Sequence, residues 1–197
     1  MAATLHFGNY VSLKNTYFAA MPVEEKLKSL LRDVHDFPKP GIVFKDITPL
    51  LANPQAREDI VKAIARHFKS LSIDAIAAVE ARGFIFGSLL AEEMNIPFVP
   101  IRKSGKLPYH KIQEEYELEY GKASIEMHTD ALQPGWKVLI HDDLLATGGT
   151  AVAAGNLIKK LNGEIAGFSF LINLSFLSGE KALNDQFGIK PHYLVSY

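Results

Sequence analysis

Two adjacent carboxylates stand in the middle of the stretch Val138–Thr150, between an apolar run and a glycine-containing turn. The branched apolar residues at its start predict a strand buried on both faces. Asp142 and Asp143 then follow at the carboxyl end of that strand, where open α/β sheets bind their ligands. Because unpaired buried carboxylates are too costly to serve as core residues, the pair predicts a function, such as holding the hydroxyl groups of a sugar.

The turn after the two acids has the composition of an anion-binding loop. Gly148 and Gly149 permit positive φ angles, so several backbone N–H groups can turn towards one anion. Thr147 and Thr150 add hydroxyl donors, and the helix predicted to follow adds the positive end of its dipole. The whole stretch therefore predicts a ribose-phosphate site, whereas an ordinary strand-to-helix turn with an acidic N-cap would explain a lone Gly-Gly-Thr.

Two further segments have residues suited to phosphate chemistry. Arg82 and Gly83 lie between a predicted strand and a predicted helix, where backbone N–H groups and one guanidinium bind anions, although Arg-Gly turns also occur without ligands. Residues 102–111 form a basic loop that suits either a polyphosphate or simple solvation. The polar residues after it extend the loop to about 121, and a long loop of this kind is typical of a lid that excludes water.

The overall composition limits the class of protein. The chain has 197 residues, is 48% hydrophobic and carries a net charge of −1, so it has no basic field for nucleic acid. It has no cysteine, which excludes disulfides and thiolate metal sites and fits a reducing compartment. The most apolar segment, 167–177, is too short for a bilayer, and the first twenty residues do not have the pattern of a secretory signal. We expect a cytoplasmic protein without nucleic-acid or membrane partners.

The elements that position these groups are predicted from apolar spacing and from turn residues. A first amphipathic helix is predicted from Met21 to the prolines after Phe37, because four apolar residues recur at helical spacing: Leu27, Leu30, Leu31 and Val34. Residues 42–49 are predicted to be extended, and Asn53 followed by Pro54 predicts the N-cap of the next helix. We treat residues 1–20 as an N-terminal extension and 21–197 as a single domain.

Strands and helices alternate over the rest of the chain. Strands are predicted at 73–79, 97–101, 165–174 and 192–197, the last at a sheet edge, and residues 123–128 are expected to pair with 114–120. One of the helices runs to about Asn95 with four inward side chains: Phe86, Leu89, Leu90 and Met94. No reversal of the βα order is visible. The pattern predicts an α/β fold with an open, mainly parallel sheet flanked by helices.

The stretch Val138–Thr150 resembles the phosphoribosyl-pyrophosphate (PRPP) signature of the type I phosphoribosyltransferases. Two other segments narrow the resemblance to members that use adenine. Residues 42–49 resemble the small N-terminal hood over the purine, and Arg-Lys-x-Gly-Lys-Leu-Pro from 102, with Tyr-x-Leu-Glu-Tyr-Gly ending at 121, resembles the flexible catalytic loop. The resemblance covers about residues 21–185. It implies the type I phosphoribosyltransferase fold, with a hood over about 21–50, a core over about 51–197 and the loop over about 102–121.

The resemblance implies transfer of the 5-phosphoribosyl group from PRPP to adenine, giving AMP and pyrophosphate in purine salvage. It also implies Mg²⁺ bound with PRPP, held through water by Asp142 and Asp143, and a homodimer in which Arg102 reaches the neighbouring subunit's site. Two alternatives stay open: a PRPP-binding regulator without turnover, and a phosphoribosyltransferase for another base. The chain departs from the family at Lys45, to which we assign no ligand role, and at His141, which we interpret as a buried, hydrogen-bonded residue rather than a catalytic one.

Individual site residues follow from the same resemblance. The catalytic set is Glu119, an acid beside the purine N7, Tyr120, which helps to close the lid, and Arg82. Adenine is contacted by the Val43 backbone, the Phe44 ring and Arg82, with Asp46 in support. The loop at Arg82 holds pyrophosphate, and the peptide bond before Arg82 is expected to be a non-proline cis bond. The PRPP-binding set is Ala81, Arg82, Gly83, Arg102, Lys103, Lys106, Asp142, Asp143, Ala146, Thr147, Gly148, Gly149 and Thr150.

Overall fold

The computed structural model describes residues 18–117 and 121–197. The predictions for Glu119 and Tyr120, and those for most of the N-terminal extension, therefore lie outside the described residues. The chain divides into two compact units, Met1–Ile60 and Val61–Tyr197.

The first unit carries a two-stranded sheet with short helices on either side in the chain. Its elements, in chain order, are helix α1 Val23–Leu30, strand β1 Arg32–His35, strand β2 Val43–Asp46 and helix α2 Thr48–Leu51. Helix α3, Pro54–Phe68, begins in this unit and ends in the second. The predicted N-cap of α3 is confirmed, because the Asn53 side-chain oxygen accepts a hydrogen bond from the Ala56 N–H at 3.0 Å.

The first predicted helix is too long. It ends at Leu30, and Leu31 already has the extended angles φ −78° and ψ 136°. The residues that follow pair antiparallel with β2, with Arg32 opposite Asp46 and Val34 opposite Phe44. Two ion pairs across this pairing, Arg32–Asp46 at 2.5 Å and Lys45–Asp33 at 2.7 Å, favour the strand over the helix that local spacing suggested.

The second unit is built on a seven-stranded sheet in the order β5-β6-β4-β3-β7-β8-β9. Its strands, in chain order, are β3 Ala75–Val79, β4 Phe98–Lys103, β5 Lys111–Glu117, β6 Lys122–His128, β7 Lys137–Leu145, β8 Glu164–Asn173 and β9 His192–Ser196. The five neighbouring strands β4, β3, β7, β8 and β9 are parallel to one another. Strands β6 and β5 form an antiparallel hairpin that extends the sheet at the β4 edge. The predicted α/β fold with an open, mainly parallel sheet is confirmed, as are the pairing of 123–128 with the preceding segment and the edge strand β9.

The strand order contains a reversal that the sequence did not reveal. From β3 the chain crosses to β4 on one side, and it later returns to β7 on the other side of β3. The carboxyl ends of β3 and β7 therefore border a crevice between helices that leave in different directions, which is where open α/β sheets bind ligands. The predicted acids of β7 and the Arg82 turn after β3 meet at this point.

Three helices follow the strands of the second unit: α4 Arg82–Met94, α5 Gly149–Lys160 and α6 Gly179–Phe187. In α4, Phe86 and Leu90 are fully buried, but Leu89, predicted to face inward, is 38% exposed. Gly87 lets α4 approach Ala78 of β3 closely. The buried positions of α4 are Gly83, Phe86, Gly87, Leu90 and Ala91, so Leu89 lies outside the buried face. Within the described residues, no helix is both long and apolar enough to cross a membrane.

Candidate active site

The two acids of β7 lie side by side at the carboxyl end of that strand. Asp143 is buried, with 3% of its surface exposed, while Asp142 keeps part of its surface open and lines a small cavity. The Asp143 N–H donates to the Asp142 Oδ1 at 2.8 Å, so the backbone fixes one carboxylate relative to the other. Burial raises the pKa of Asp142 well above its usual range, and the Asp143 carboxylate raises it further. The two carboxylates thus lack enough positive charge or hydrogen-bond donors to offset their burial, as expected of groups that bind a ligand.

Arg82 brings a positive charge to this pair from the start of α4. Its Nε lies 3.0 Å from Asp143 Oδ2, and the two side chains are 33% and 5% exposed. The contact is an ion pair without hydrogen-bond alignment, because Asp143 Oδ2 makes no hydrogen bond within the described residues. Burial raises the pKa of Asp143, and the guanidinium offsets part of that rise. Sequence reasoning placed both residues at the site, and the fold brings them into contact.

Gly83 allows the two turns to approach this closely. A Cβ on Gly83 would lie 2.8 Å from Asp142 Oδ1 and 3.1 Å from both the Asp142 Cα and the His141 carbonyl oxygen. No side chain fits in that space, so the backbone of the α4 start packs directly on the end of β7.

The turn after β7 forms a shallow cavity of about 80 Å³. Gly148 has φ 86°, which turns the backbone into the start of α5 at Gly149. The first turn of α5 contains no acid, so its free N–H groups and its dipole leave a positive end at the cavity. The cavity is lined by Asp142, Leu144, Leu145, Ala146, Thr147, Gly148, Gly149, Thr150, Ala151 and Phe170. This arrangement suits an anion such as a phosphate, next to carboxylates that suit hydroxyl groups.

One predicted cation of the basic loop, Arg102, is held by an acid that sequence reasoning missed. Glu80 accepts from Arg102 Nε at 3.1 Å, from Arg102 Nη2 at 3.2 Å and from the Lys103 N–H at 3.1 Å. The Arg102 hydrogen bonds lower the pKa of Glu80, so it is charged at neutral pH. Arg102 also donates to the Lys106 carbonyl at 3.0 Å, which closes the loop on itself. The available signal was the position of Glu80 at the end of a predicted strand.

A second missed acid, Glu126 of β6, is fully buried beneath the same loop. One of its oxygens accepts the N–H groups of Lys106 at 2.9 Å and Leu107 at 2.7 Å, and its other oxygen lies 3.2 Å from Lys111 Nζ. Burial raises the pKa of Glu126, but hydrogen bonds from the Leu107 and Gly105 backbone and from Lys111 outweigh it, so the pKa is lowered overall. The basic loop is thus held by two carboxylates, of which Glu126 is fully buried and Glu80 is partly exposed.

The hairpin of β5 and β6 lies beside the cavity. A Cβ on Gly149 would lie 3.3 Å from the Tyr116 ring and 3.4 Å from the Glu117 carbonyl oxygen. Tyr116 therefore covers the first residue of α5. The chain then continues through Glu119 and Tyr120, which lie outside the described residues.

Two of the predicted base-contacting residues, Val43 and Phe44, belong to the first unit. Val43 is 41% exposed at the start of β2, and the Phe44 ring lies edge-on to Phe37 with the ring centroids 5.2 Å apart. Asp46 accepts from the Thr48 N–H at 2.8 Å and from the Thr48 hydroxyl at 2.6 Å. These two bonds, followed by that from Arg32, lower the pKa of Asp46 to about 2. Asp46 therefore braces the end of β2.

His141 differs in one respect from the interpretation given above. It is fully buried, but neither ring nitrogen makes a hydrogen bond of regular geometry within the described residues. Burial lowers its pKa to about 4, and the neighbouring Ser169 backbone offsets only part of that change. The expected burial of His141 is confirmed, whereas the expected hydrogen bond of regular geometry is not found within the described residues.

The predicted non-proline cis peptide bond is present, but it is one residue earlier than expected. It joins Glu80 to Ala81, whereas the bond expected to be cis was the one directly before Arg82.

The sequence of this chain matches those of a known protein family. The phosphoribosyl transferase domain family matches residues 46–190. An adenine phosphoribosyltransferase from Cytophaga hutchinsonii is 57% identical over 161 residues, covering 82% of this chain and 89% of the relative. One from Nitrosococcus oceani is 50% identical over 173 residues, covering 88% of this chain and 99% of the relative.

Solved structures agree with the sequence relatives. The adenine phosphoribosyltransferase of Thermoanaerobacter pseudethanolicus has a TM-score of 0.85 at 45% identity, covering 88% of this chain and 99% of the other. That of Saccharomyces cerevisiae, solved with an imino-altritol bisphosphate and adenine, has a TM-score of 0.82 at 35% identity, covering 88% and 98%.

Proposed function

Because the chain belongs to the phosphoribosyltransferase family, and within it to the adenine phosphoribosyltransferases, we propose that it transfers the 5-phosphoribosyl group of PRPP to adenine. The products are AMP and pyrophosphate, and the reaction salvages a free purine. The observation that carries the proposal is the contact of the Asp142–Asp143 pair with Arg82, beside the cavity at the start of α5. That site offers carboxylates to a sugar, a phosphate-binding turn and a cation in one crevice.

The sugar is held at two points. Asp142 and Asp143 accept hydrogen bonds from the ribose hydroxyls, which relieves the cost of burying two carboxylates together. The backbone N–H groups of 146–150 and the hydroxyls of Thr147 and Thr150 bind the 5′-phosphate at the positive end of α5. Positive charge builds on the sugar as its bond to pyrophosphate stretches, so the reaction depends on positioning and electrostatics rather than on covalent catalysis.

The carboxylate pair also fits Mg²⁺ held through water. Asp143 has a buried oxygen without a hydrogen bond in the described part of the chain, and oxygen donors are the ligands this ion prefers. No group of three or more potential ligands occurs within the described residues, so the remaining oxygens would come from PRPP and water. When bound, the ion neutralises charge that develops on the pyrophosphate oxygens.

The leaving pyrophosphate is bound at the turn 81–83, where Arg82 supplies a guanidinium and the backbone supplies N–H donors. The cations Arg102, Lys103 and Lys106 assist from the basic loop. We propose a homodimer in which Arg102 reaches the neighbouring subunit's site, which requires it to exchange its contact with Glu80 for one with substrate. The absence of cysteine fits a reducing compartment, and we propose that the protein works in the cytoplasm.

The base is activated and recognised by the remaining predicted residues. Glu119 lies beside the purine N7 and stabilises the base as N9 loses its proton, a contribution of about 10²–10⁴-fold in rate. Tyr120 helps to close the lid. Phe44 stacks on adenine, the Val43 backbone pairs with its amino group and ring nitrogen, and Arg82 completes the base contacts. Hypoxanthine presents the opposite donor and acceptor pattern, so each mismatch costs about 1–3 kcal/mol.

A panel of bases tests the proposal. The full chain is incubated with PRPP, Mg²⁺ and adenine, hypoxanthine, guanine, xanthine or a pyrimidine, and pyrophosphate release is followed. Adenine should be preferred by about 10²–10⁴-fold in kcat/KM. Release with another base instead would make the chain a phosphoribosyltransferase of different specificity. Binding of PRPP without release on any base would identify a regulator.

Two variants extend the panel to the proposed residues. Phe44→Ala should weaken binding of every purine, because it removes the stacking surface. Val43→Ala should keep the preference for adenine, since the backbone and not the side chain reads the base. An altered base preference in Val43→Ala would contradict recognition through the backbone.

A further inference from the structure

Helix α6 packs directly on the turn between β7 and α5. A Cβ on Gly179, the first residue of α6, would overlap the Ala146 carbonyl oxygen and lie 2.7 Å from the Leu145 Cγ. From the other side, a Cβ on Gly148 would lie 3.0 Å from the Gly179 carbonyl oxygen and 3.1 Å from the Ala182 Cβ. Because glycines stand on both sides of this contact, backbone packs on backbone without an intervening side chain. A shift of the start of α6 is therefore transmitted to the turn, since closely packed groups have no free space to absorb it.

The start of α6 is anchored by its second residue, Glu180. The Glu180 Oε1 accepts a hydrogen bond at 2.6 Å from the Nδ2 of Asn173, the last residue of β8. Asn173 is only 1% exposed, and its Nδ2 also donates to the Ser196 Oγ of β9 at 3.3 Å. Burial raises the pKa of Tyr193 in β9, and the nearby Glu180 carboxylate raises it further. Glu180 thus ties α6 to strand β8 and, through Asn173, to strand β9.

The anchor and the contact with the turn act at the same place, because Gly179 and Glu180 are consecutive. We propose that Glu180 is a positioning residue for the 5′-phosphate. Its bond to Asn173 fixes the start of α6, and the α6 backbone in turn holds Ala146 and Gly148 in their binding geometry. Glu180 itself is not one of the described residues that line the cavity. This role rests on the proposed transferase function, because that function assigns the turn to the 5′-phosphate.

A pair of ligands isolates the grip on the phosphate. AMP and adenosine differ only in the 5′-phosphate, so the Kd of adenosine divided by the Kd of AMP measures how well that group is held. Titration calorimetry of the full chain gives both constants without turnover. Glu180→Ala leaves a buried Asn173 N–H without its acceptor, and it should lower this ratio about tenfold through weaker binding of AMP. The Kd of adenosine should stay within about twofold of the wild-type value, whereas a general loss of folded protein would weaken both ligands equally.

Asp185→Ala is the matched control on the same helix. It also removes one carboxylate, but the Asp185 side chain is 56% exposed and pairs with Lys181, one turn earlier in α6. Its ratio should stay within about twofold of the wild type. Glu180→Gln keeps an acceptor for Asn173 while removing the charge that an acid in the first turn brings to the helix dipole. It should keep the ratio within about threefold, which separates the hydrogen bond from the charge.

Hydrogen–deuterium exchange reports on the turn itself. The segment 146–152 includes the Val152 N–H, which donates to the Gly148 carbonyl at 2.9 Å. Exchange in this segment should be about tenfold faster in Glu180→Ala and within about twofold of the wild type in Asp185→Ala. Glu180→Asp keeps the charge but shortens the side chain by one methylene, and it should lower the ratio about threefold. This milder variant provides the test if Glu180→Ala does not fold.

The results separate this role from the proposed function. A wild-type chain that releases no pyrophosphate with any base would end the transferase function, whereas the ratio depends on binding alone. The positioning role would be refuted by equal ratios, or equal exchange at 146–152, in Glu180→Ala and Asp185→Ala. A Glu180→Gln variant as poor as Glu180→Ala, or a wild-type ratio in Glu180→Asp, would refute the hydrogen bond as the anchor. A ratio near one in the wild type would show that the turn does not hold the phosphate, and the role would fall with it.

Discussion

Gly83 gives the sharpest test of how the active site is held together. Its missing side chain lets the start of α4 pack on the end of β7, with a would-be Cβ 2.8 Å from Asp142 Oδ1 and 3.1 Å from the Asp142 Cα. In Gly83→Ala these contacts must open by roughly 0.5 Å to reach ordinary van der Waals separation. The backbone N–H proposed to bind pyrophosphate is retained, so the variant isolates the spacing of the two turns.

The shift should affect both stability and activity. Overpacking of this kind costs about 1–3 kcal/mol, which lowers Tm by roughly 3–9 °C for a protein of this size. It also moves Asp142 relative to Arg82, and displacements approaching 1 Å in an active site cost up to about 10²-fold. We expect kcat/KM for PRPP to fall 10- to 100-fold, measured by pyrophosphate release well below the Tm of the variant.

Gly87→Ala is the matched control. It is in the same helix, and its Cβ would also clash, at 2.5 Å from the Ala78 Cβ, but the nearest atoms belong to the side chains of Ala78, Phe98 and His141 and not to a carboxylate. It should lose stability to a similar or greater extent while the folded fraction keeps nearly normal kcat/KM. Wild-type kcat/KM in Gly83→Ala, or an equal loss in both variants, would refute the argument that Gly83 sets the spacing of the site.

Three further predictions concern the buried acids and the metal. The pKa of Asp142 is raised in the folded protein, so the folded state binds this proton more tightly than the unfolded state does. The free energy of unfolding therefore falls as pH rises from the ordinary aspartate pKa of 3.8 through the folded pKa. Asp142→Asn should therefore raise the Tm of the unliganded protein at pH 7, with a gain that vanishes near pH 4, while losing activity; a lower Tm at pH 7 would contradict this sign. Glu126→Ala should lower the free energy of unfolding by about 2–4 kcal/mol, since it leaves two N–H groups and Lys111 without their acceptor. Glu126→Gln should lower the free energy of unfolding less in the same denaturant titration. Chelation of Mg²⁺ should abolish pyrophosphate release without changing the Tm of the unliganded protein, because the described residues contain no cluster of three metal ligands; a falling Tm would indicate a resident metal.

The parts of the site that the sequence predicted are those whose interactions are local. Strand β7, its two acids and the turn into α5 are contiguous, so composition and order are enough to predict a strand, a turn and a helix start. The N-cap of α3 is similar, because Asn53 bonds to an N–H three residues later. The alternation of helices and strands likewise predicts a parallel α/β sheet, since crossover connections leave few other folds.

Local signals failed where distant partners outweighed them. Leu31 and Val34 continue the helical spacing of α1, yet Arg32–His35 form a strand because β2 offers backbone pairing and two ion pairs. The reversal of strand order between β3 and β7 leaves no local trace, because it depends on where the chain returns in space.

The supporting acids depended on tertiary structure for the same reason. Glu80 and Glu126 are ordinary acids in the sequence, and their partners Arg102 and Lys106 lie 20 or more residues away. Burial and pairing, which only the folded chain creates, distinguish them from solvated carboxylates. The sequence alone determined which groups could bind a ribose phosphate, because those groups are neighbours in the chain. The tertiary structure decided which residues hold them in place, because a buried charge acquires its partners only when the chain folds.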